Sequence, residues 1–263
     1  MADADTPLLR LEGVSKRFGA VQALSEVDFE CDAGEVVALV GDNGAGKSTL
    51  VKVIAGTQPA DAGRIVFDGH EVHIGTPQAA AGLGIATVYQ DLALCDNLDV
   101  VANLYVGRER ARGVGNNLRI LDEIGMEREA LGLLDRLAVR IPSVRTEVAS
   151  LSGGQRQSIA VARATMGDPK LVILDEPTAA LGVAQTRQVL DLIHRLRDDD
   201  LGVIVVSHNL VDVFAVADRI VVLRLGRRVA TFTAAEATAE DVVAAITGAQ
   251  TDEVRSAFTT EAS

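Results

Sequence analysis

The chain has 263 residues, of which 48% are hydrophobic, and a formal net charge of −12. That much apolar material can bury a substantial core, as one large domain or a domain with a subdomain, and it sets disorder aside. The acidic balance weighs against a nucleic-acid partner, because such binding runs on clustered Lys and Arg.

The opening "MADADTPLLR" carries acids where a secretory leader needs a basic segment, and no apolar run approaches the ~20 residues needed to cross a bilayer. The expectation is a cytosolic chain that can dock on a membrane protein. Cys31 and Cys95 lie far apart in neither a CxxC nor a zinc spacing, so both are expected as free thiols. "EVVALVG" (Glu35 to Gly41) is a short continuous apolar run ending in glycine, the pattern of a strand buried on both faces. Further on, "RIVFDGHEV" (Arg64 to Val72) predicts a hairpin, because Asp68-Gly69 suits a two-residue turn with positive φ. His70 and His73 in that hairpin have no acidic or cysteine neighbours at metal-binding spacing and are expected at the surface.

Residues 91–165 read as mostly helical, with an Arg/Gly/Asn-rich loop from Gly107 to Arg119 and an amphipathic segment at "ALGLLDRLAV". Arg108, Arg110, Arg112 and Arg119 in that loop are expected to be solvated. Buried-strand runs recur at "LVILDE" (Leu171 to Glu176) and "GVIVVSH" (Gly202 to His208). Between them Val189, Leu192, Ile193 and Leu196 share one helix face, and strand, helix, strand at this spacing predicts a parallel sheet. The expected fold is α/β, a core with a mostly parallel sheet, an N-terminal antiparallel β subdomain and an inserted helical subdomain. The boundaries are 7–248 for the folded domain, with core and β subdomain at 7–90 and 166–248, the helical subdomain at 91–165, and a flexible tail at 249–263.

The chemistry begins at "GDNGAGKST", Gly41 to Thr49, which fits GxxxxGK[ST] after a predicted strand and before a helix. Gly41, Asp42, Asn43, Gly44, Ala45 and Gly46 form a loop whose successive N–H groups can face phosphate oxygens. Lys47 reaches the β- and γ-phosphates, and the hydroxyl of Ser48, next to Thr49, ligates Mg²⁺. "LVILDEP" supplies the acidic element: Asp175 can help hold Mg²⁺ through water, while Glu176 points toward the γ-phosphate and can accept a proton from an attacking water. The two motifs together predict a P-loop NTPase that uses Mg²⁺; the nucleotide follows from the resemblance below, which implies ATP.

"LSGGQRQSIAVARA" (Leu151 to Ala164) looks like a phosphate-binding helix start without a lysine. With LSGGQ upstream of the LDE strand, the chain resembles the ATP-binding-cassette (ABC) ATPases over nearly its whole length. The other elements of that family fall in order: "RFGAVQAL" with Phe18, Gln90 after "IATVYQ", the loop "PTAALG", and His208 after "VIVVS". The resemblance implies that Ser152, Gly153, Gly154 and Gln155 bind the γ-phosphate of a nucleotide held by a partner's phosphate loop, in a head-to-tail dimer. It also implies that Phe18 stacks on adenine, that Gln90 reaches Mg²⁺ or water, and that His208 touches the γ-phosphate and steadies Glu176. One departure is the loop after the LDE strand, which ends Ala180-Leu181-Gly182 where the family has an aspartate. An acidic cross-dimer contact is absent there.

"TAALGV" and "VYQDLALCDNLDVVANLYVGRE" are similar to the ATPases of bacterial importers for ribose, xylose and fructose-like monosaccharides. Most of those carry two cassettes; this chain holds one, so an ATP-dependent homodimer with two equivalent sites is implied. The implied partners are a transmembrane permease and, indirectly, a sugar-binding protein, with the chain peripheral on the cytoplasmic face of the membrane. Competing readings are an exporter ATPase, a soluble ABC protein of DNA repair or translation, and a nucleotide-dependent assembly module with little hydrolysis.

Overall fold

Local sequence already separates the strands by how they are covered. The computed structural model describes residues 6–114 and 118–249. In chain order the elements are β1 (Leu9–Phe18), β2 (Val21–Cys31), β3 (Val36–Val40), α1 (Lys47–Ile54), β4 (Ala62–Phe67), β5 (His70–Val72), α2 (Pro77–Leu83), β6 (Ile85–Val88) and α3 (Val100–Tyr105). There follow β7 (Ala111–Val114), β8 (Leu118–Leu121), α4 (Glu123–Arg136), a 3-10 turn (Val148–Ser150), α5 (Gly153–Thr165), β9 (Leu171–Asp175), α6 (Val183–Asp198), β10 (Gly202–Val206), α7 (Leu210–Val216), β11 (Arg219–Arg224), β12 (Arg227–Thr233) and α8 (Ala239–Thr247).

A six-stranded sheet in the order β12-β11-β3-β10-β9-β6 forms the core, parallel throughout except for the antiparallel β11–β12 edge. β3 and β10 are buried at every position, as continuous apolar runs require when both faces are covered. Side chains alternate between those faces. Val37, Leu39, Ile173 and Ile204 pack toward α1 and a four-stranded antiparallel sheet of order β2-β1-β4-β5, whereas Val36, Val172, Leu174, Val203 and Val205 pack toward α3 to α6. Val189, Leu192, Ile193 and Leu196 of α6 are all buried in the second of these layers, as their spacing predicts.

The hairpin β4–β5 turns at Asp68 and Gly69, with φ of 51° and 74°, and pairs Phe67 with His70 as expected. The segment 107–119 corrects the expectation of an irregular loop, since β7 and β8 form a two-stranded antiparallel ribbon within it. Arg108, Arg110 and Arg112 are exposed, and Arg110 pairs with Glu129 at 2.6 Å; the Arg119 side chain lies outside the described residues. His70 and His73 are exposed, and Cys31 and Cys95 are free thiols, the first buried and the second exposed. Of the expected tail at 249–263, residues 250–263 lie outside the described residues. Among the described residues no helix is long and apolar enough to cross a membrane.

Candidate active site

The carboxyl ends of β3, β10, β9 and β6 lie side by side in the parallel sheet, which is where open α/β sheets place their ligands. β3 runs into Gly41 to Gly46 and then α1. Three glycines of this loop have positive φ: Gly41 at 147°, Gly44 at 78° and Gly46 at 107°. A Cβ on Gly41 would come 2.1 Å from the Leu223 carbonyl oxygen, and one on Gly46 would come 2.8 Å from that of Ala23. The loop is therefore wedged between β11 and β2. The turn at Leu225 and Gly226 adds a prop, since the Gly226 N–H donates to the Ala45 carbonyl at 2.9 Å.

Lys47 is buried at the head of α1, and its ammonium donates to the carbonyls of Gly41 at 2.6 Å and Asp42 at 3.0 Å. Asp42, Asn43, Gly44 and Ser48 are exposed, Ala45 is buried, and Thr49 is half-buried. The loop thus turns its polar edge outward and its one small apolar side chain inward.

Asp175 ends β9. Burial raises its pKa above the ordinary aspartate value, with the charge of Glu176 adding to the effect and Lys47 and Lys52 opposing it. Glu176 follows with φ of 53°, and its N–H donates to the carbonyl of Val206 on β10 at 2.9 Å. This left-handed residue redirects the chain so that the two successive carboxylates diverge. His208 lies two residues beyond the end of β10, with Nδ1 2.9 Å from Oε1 of Glu176. Glu176 is largely sheltered and His208 is exposed, so the contact sits at the mouth of the site. Gln90, two residues past the end of β6, is exposed at the next strand over.

A buried carboxylate ties these loops together. Asp212 accepts through one oxygen from Thr178 Oγ1 at 2.7 Å and from Asn209 Nδ2 at 3.0 Å, linking the chain after Glu176 to the chain after His208. Nothing in the sequence pattern marks Thr178 and Asp212 as partners, 34 positions apart. Their pairing becomes visible only once β9 and β10 are adjacent.

Ser152, Gly153 and Gly154 open α5. The Ser152 hydroxyl accepts from the Gln155 N–H at 3.3 Å, Gln155 Oε1 accepts from the Ser152 N–H at 3.0 Å, and Gln155 Nε2 donates to the Arg140 carbonyl at 3.1 Å. The two glycines also have a packing reason. A Cβ on Gly153 would meet Leu181 at 2.9 Å, and one on Gly154 would meet Gln185 at the same distance. Among the described residues no hydrogen bond joins Ser152–Gln155 to residues 41–49, so the structure assembles the first group of predicted residues and leaves this one apart.

Phe18 stands exposed at the end of β1, with the Lys16 ammonium 5.6 Å from its ring centre. Lys16 is itself held by Asp61 at 2.8 Å, and Asp61 also accepts from the Arg17 N–H at 2.7 Å. Phe18 pairs with Val21 across the β1–β2 turn, two residues before Ala23, whose carbonyl abuts Gly46.

The ABC transporter family pattern matches residues 24–179, more than half of the chain. The chain belongs to this family. The xylose/arabinose import ATP-binding protein of Sulfolobus acidocaldarius is 48% identical over 220 residues, which cover 84% of this chain and 86% of that protein. The fructose import ATP-binding protein of Rhizobium meliloti is 45% identical over 250 residues, covering 94% and 96%. Among solved structures, the ADP conformation of an ATP-binding cassette of an ABC transporter matches with a TM-score of 0.79 at 25% identity, over 95% of this chain and 98% of that one. This cassette is an ATPase, as its family is.

Gly182 stands where the family resemblance implies an aspartate, and packing does not impose the glycine. Its φ is −76°, a Cβ there would meet nothing within 4 Å, and the Gly182 N–H is taken by Gln185 Oε1 at 3.3 Å. The backbone and the space at the Cβ position would admit a side chain.

The donor chemistry fits a magnesium nucleotide. Ser48, Asp175 and Gln90 offer oxygen donors, and the glycine loop, backed by β2 and β11, leaves Asp42, Asn43 and Gly44 on its exposed edge. No cluster of three or more His, Cys, Asp and Glu suited to a metal occurs among the described residues. Mg²⁺ needs none, because it is held by one or two protein oxygens together with phosphates and water.

Proposed function

We propose that this cassette is the energising subunit of a monosaccharide importer, binding Mg-ATP between two copies of the chain on the cytoplasmic face of a membrane and driving a separate permease. The observation that carries the chemistry is the convergence of the glycine loop, Asp175, Glu176, His208 and Gln90 on the carboxyl ends of four adjacent strands. The printed names of its relatives, import proteins for xylose/arabinose and fructose, support the transported class.

In this reading the amides of residues 41–46 and the Lys47 ammonium hold the β- and γ-phosphates, and Phe18 stacks on the adenine. Ser48, Gln90 and Asp175 would hold Mg²⁺, which would supply neutralisation of phosphate charge. Glu176 takes the proton of the attacking water, and His208 orients Glu176 through the Nδ1 contact. Ser152, Gly153, Gly154 and Gln155 of the second copy close over the γ-phosphate. The domain spans 7–248 with residues 91–165 as the helical subdomain, a sugar-binding protein feeds the permease from the other side, and no nucleic acid takes part.

The test is Glu176→Gln. That variant retains ATP binding, loses hydrolysis by about a hundredfold or more, and elutes as a dimer only with ATP present. Undiminished turnover would show that Glu176 is not the base. Absence of hydrolysis in the unaltered protein would favour a nucleotide-dependent assembly module instead.

A further inference from the structure

The helix that begins with the signature Ser152-Gly153-Gly154 ends on a residue the site description leaves unused. Arg163, in the last turn of α5, is half-buried. Its guanidinium donates through Nη2 to the carbonyl of Leu92 and through Nη1 to that of Ala93, each at 2.8 Å. These carbonyls lie two and three residues beyond Gln90, in a segment folded back on itself. Ala93 has φ of 49°, and its N–H donates to Asp91 Oδ1 at 3.2 Å. Leu92 and Leu94, on either side, pack against the core layer that α5 helps to form.

A half-buried cation with only neutral partners is an unusual arrangement. The charged and titratable groups that act on Arg163 are Cys95 and Arg108, neither of them a carboxylate, and burial lowers its pKa from the ordinary arginine value. Among the described residues it forms no ion pair, and its guanidinium donates to two backbone carbonyls 70 and 71 positions away in sequence. A planar fork can hold two consecutive carbonyls at once, which the single nitrogen of lysine matches poorly. We propose that Arg163 is a positioning residue for Gln90, clamping the chain that follows Gln90 to the signature helix so that one rigid element sets both. This rests on the proposed role of Gln90 toward Mg²⁺.

Residues that orient a metal ligand without touching the metal commonly alter metal affinity by about tenfold or more when replaced. Arg163→Lys, which keeps the charge and the length of the stem, is the primary variant, with Arg163→Met as the more severe one. Calorimetric titration with ATP in excess EDTA is expected to give the wild-type affinity within about twofold, since the glycine loop is untouched. The Mg²⁺ concentration for half-maximal stabilisation of the ATP-bound protein, read by thermal shift, is expected to rise about tenfold. Hydrogen exchange is expected to quicken in residues 91–95 while the first turns of α5 stay protected.

Gln90→Ala and the double variant separate the two ideas. The double variant is expected to require no more Mg²⁺ than Gln90→Ala alone, because both changes act through one ligand. Additive shifts, or exchange at 91–95 unchanged by Arg163→Lys, would overturn the clamp. If Gln90→Ala itself leaves the Mg²⁺ requirement unaltered while Arg163→Lys speeds exchange at 91–95, the metal role of Gln90 fails and the proposal with it, though the contact to Leu92 and Ala93 stands. Faster exchange along the whole of α5 would reduce Arg163 to a structural support and overturn the proposal as well.

Discussion

Two glycines of the phosphate loop offer a comparison, because both have positive φ but alanine at each would meet a different space. At Gly41 φ is 147°, and the new Cβ would sit 2.1 Å from the Leu223 carbonyl oxygen and 3.1 Å from the Ala45 Cβ. Leu223 cannot yield easily, since it belongs to β11, which pairs with β3 up to Val40. At Gly44 φ is 78°, and a Cβ would meet nothing within 4 Å. Backbone strain costs about 1–2 kcal/mol at Gly44, near the left-handed helical region, and about 1–3 kcal/mol at Gly41, whose φ lies outside it. Forcing atoms into a packed site adds about 1–3 kcal/mol at Gly41 alone, so Gly41→Ala should destabilise by about 2–6 kcal/mol in all.

The difference of about 2 kcal/mol corresponds to roughly 4–8 °C in melting temperature for a chain of this size. Function should follow the same order. The Gly41 carbonyl accepts from the Lys47 ammonium at 2.6 Å, so displacing residue 41 moves the group that holds the lysine. If about 2 kcal/mol of strain falls on the nucleotide-binding form, ATP affinity drops roughly thirtyfold. Circular-dichroism melts without nucleotide and calorimetric ATP titration of both variants provide the check. Equal melting losses at Gly41 and Gly44 would refute the idea that the Leu223 carbonyl, and not glycine's conformational freedom alone, dictates residue 41.

Asp175→Asn should stabilise the nucleotide-free protein at pH 7, because burial raises the carboxyl pKa and the ionised form is the one the fold disfavours. That gain is full above the raised pKa and shrinks as pH falls toward the ordinary value of 3.8, so melts of the two proteins should converge on acidification; a gain that grew instead would reverse the assigned cause. Lys47→Ala and Ser152→Arg should each abolish hydrolysis, yet mixing the two should restore part of it, because a mixed dimer gathers both lesions into one site and leaves the other intact. A chain carrying both substitutions, mixed with wild type, should gain nothing from the mixed dimer; rescue in that mixture and not in the first would place the signature in its own chain's site.

Some parts of this molecule were plain in the sequence because the information is local. Asp68-Gly69 announces its turn through backbone preference, the runs before Gly41 and Asp175 announce buried strands, and the glycine loop follows from its spacing. The ribbon β7–β8 was obscured by arginines and glycine in a stretch with few strand-forming residues, although Leu118, Ile120 and Leu121 gave a weak signal. Non-local contacts gave none. Leu223 against Gly41, Asp212 bridging Thr178 and Asn209, and Arg163 on the Leu92 and Ala93 carbonyls all depend on which strands become neighbours. Carbonyl partners are especially hard to foresee, because every residue but its geometry offers one.

The signature helix bears on why two chains should be needed. The Ser152 oxygen accepts from the Gln155 amide, which leaves the hydroxyl proton to be given elsewhere. The Gly153 and Gly154 amides belong to the first turn of a helix, where no intrahelical acceptor exists. Donors thus converge at a position with partial positive charge from the helix, suited to an anion and without a lysine. Gln155 anchors this arrangement to Arg140, and Leu181 and Gln185 pack against the glycines, so it is already organised within one chain. The loop at Gly41–Thr49 is equally organised by β2, β11 and the Gly226 prop. Each half lacks only an anion shared with the other, and a triphosphate gripped by Lys47 of one copy and capped by Ser152 of the next would supply it. In the proposed dimer, loss of the γ-phosphate would remove the contact that holds the copies together, which would make hydrolysis a release step and not merely a source of heat.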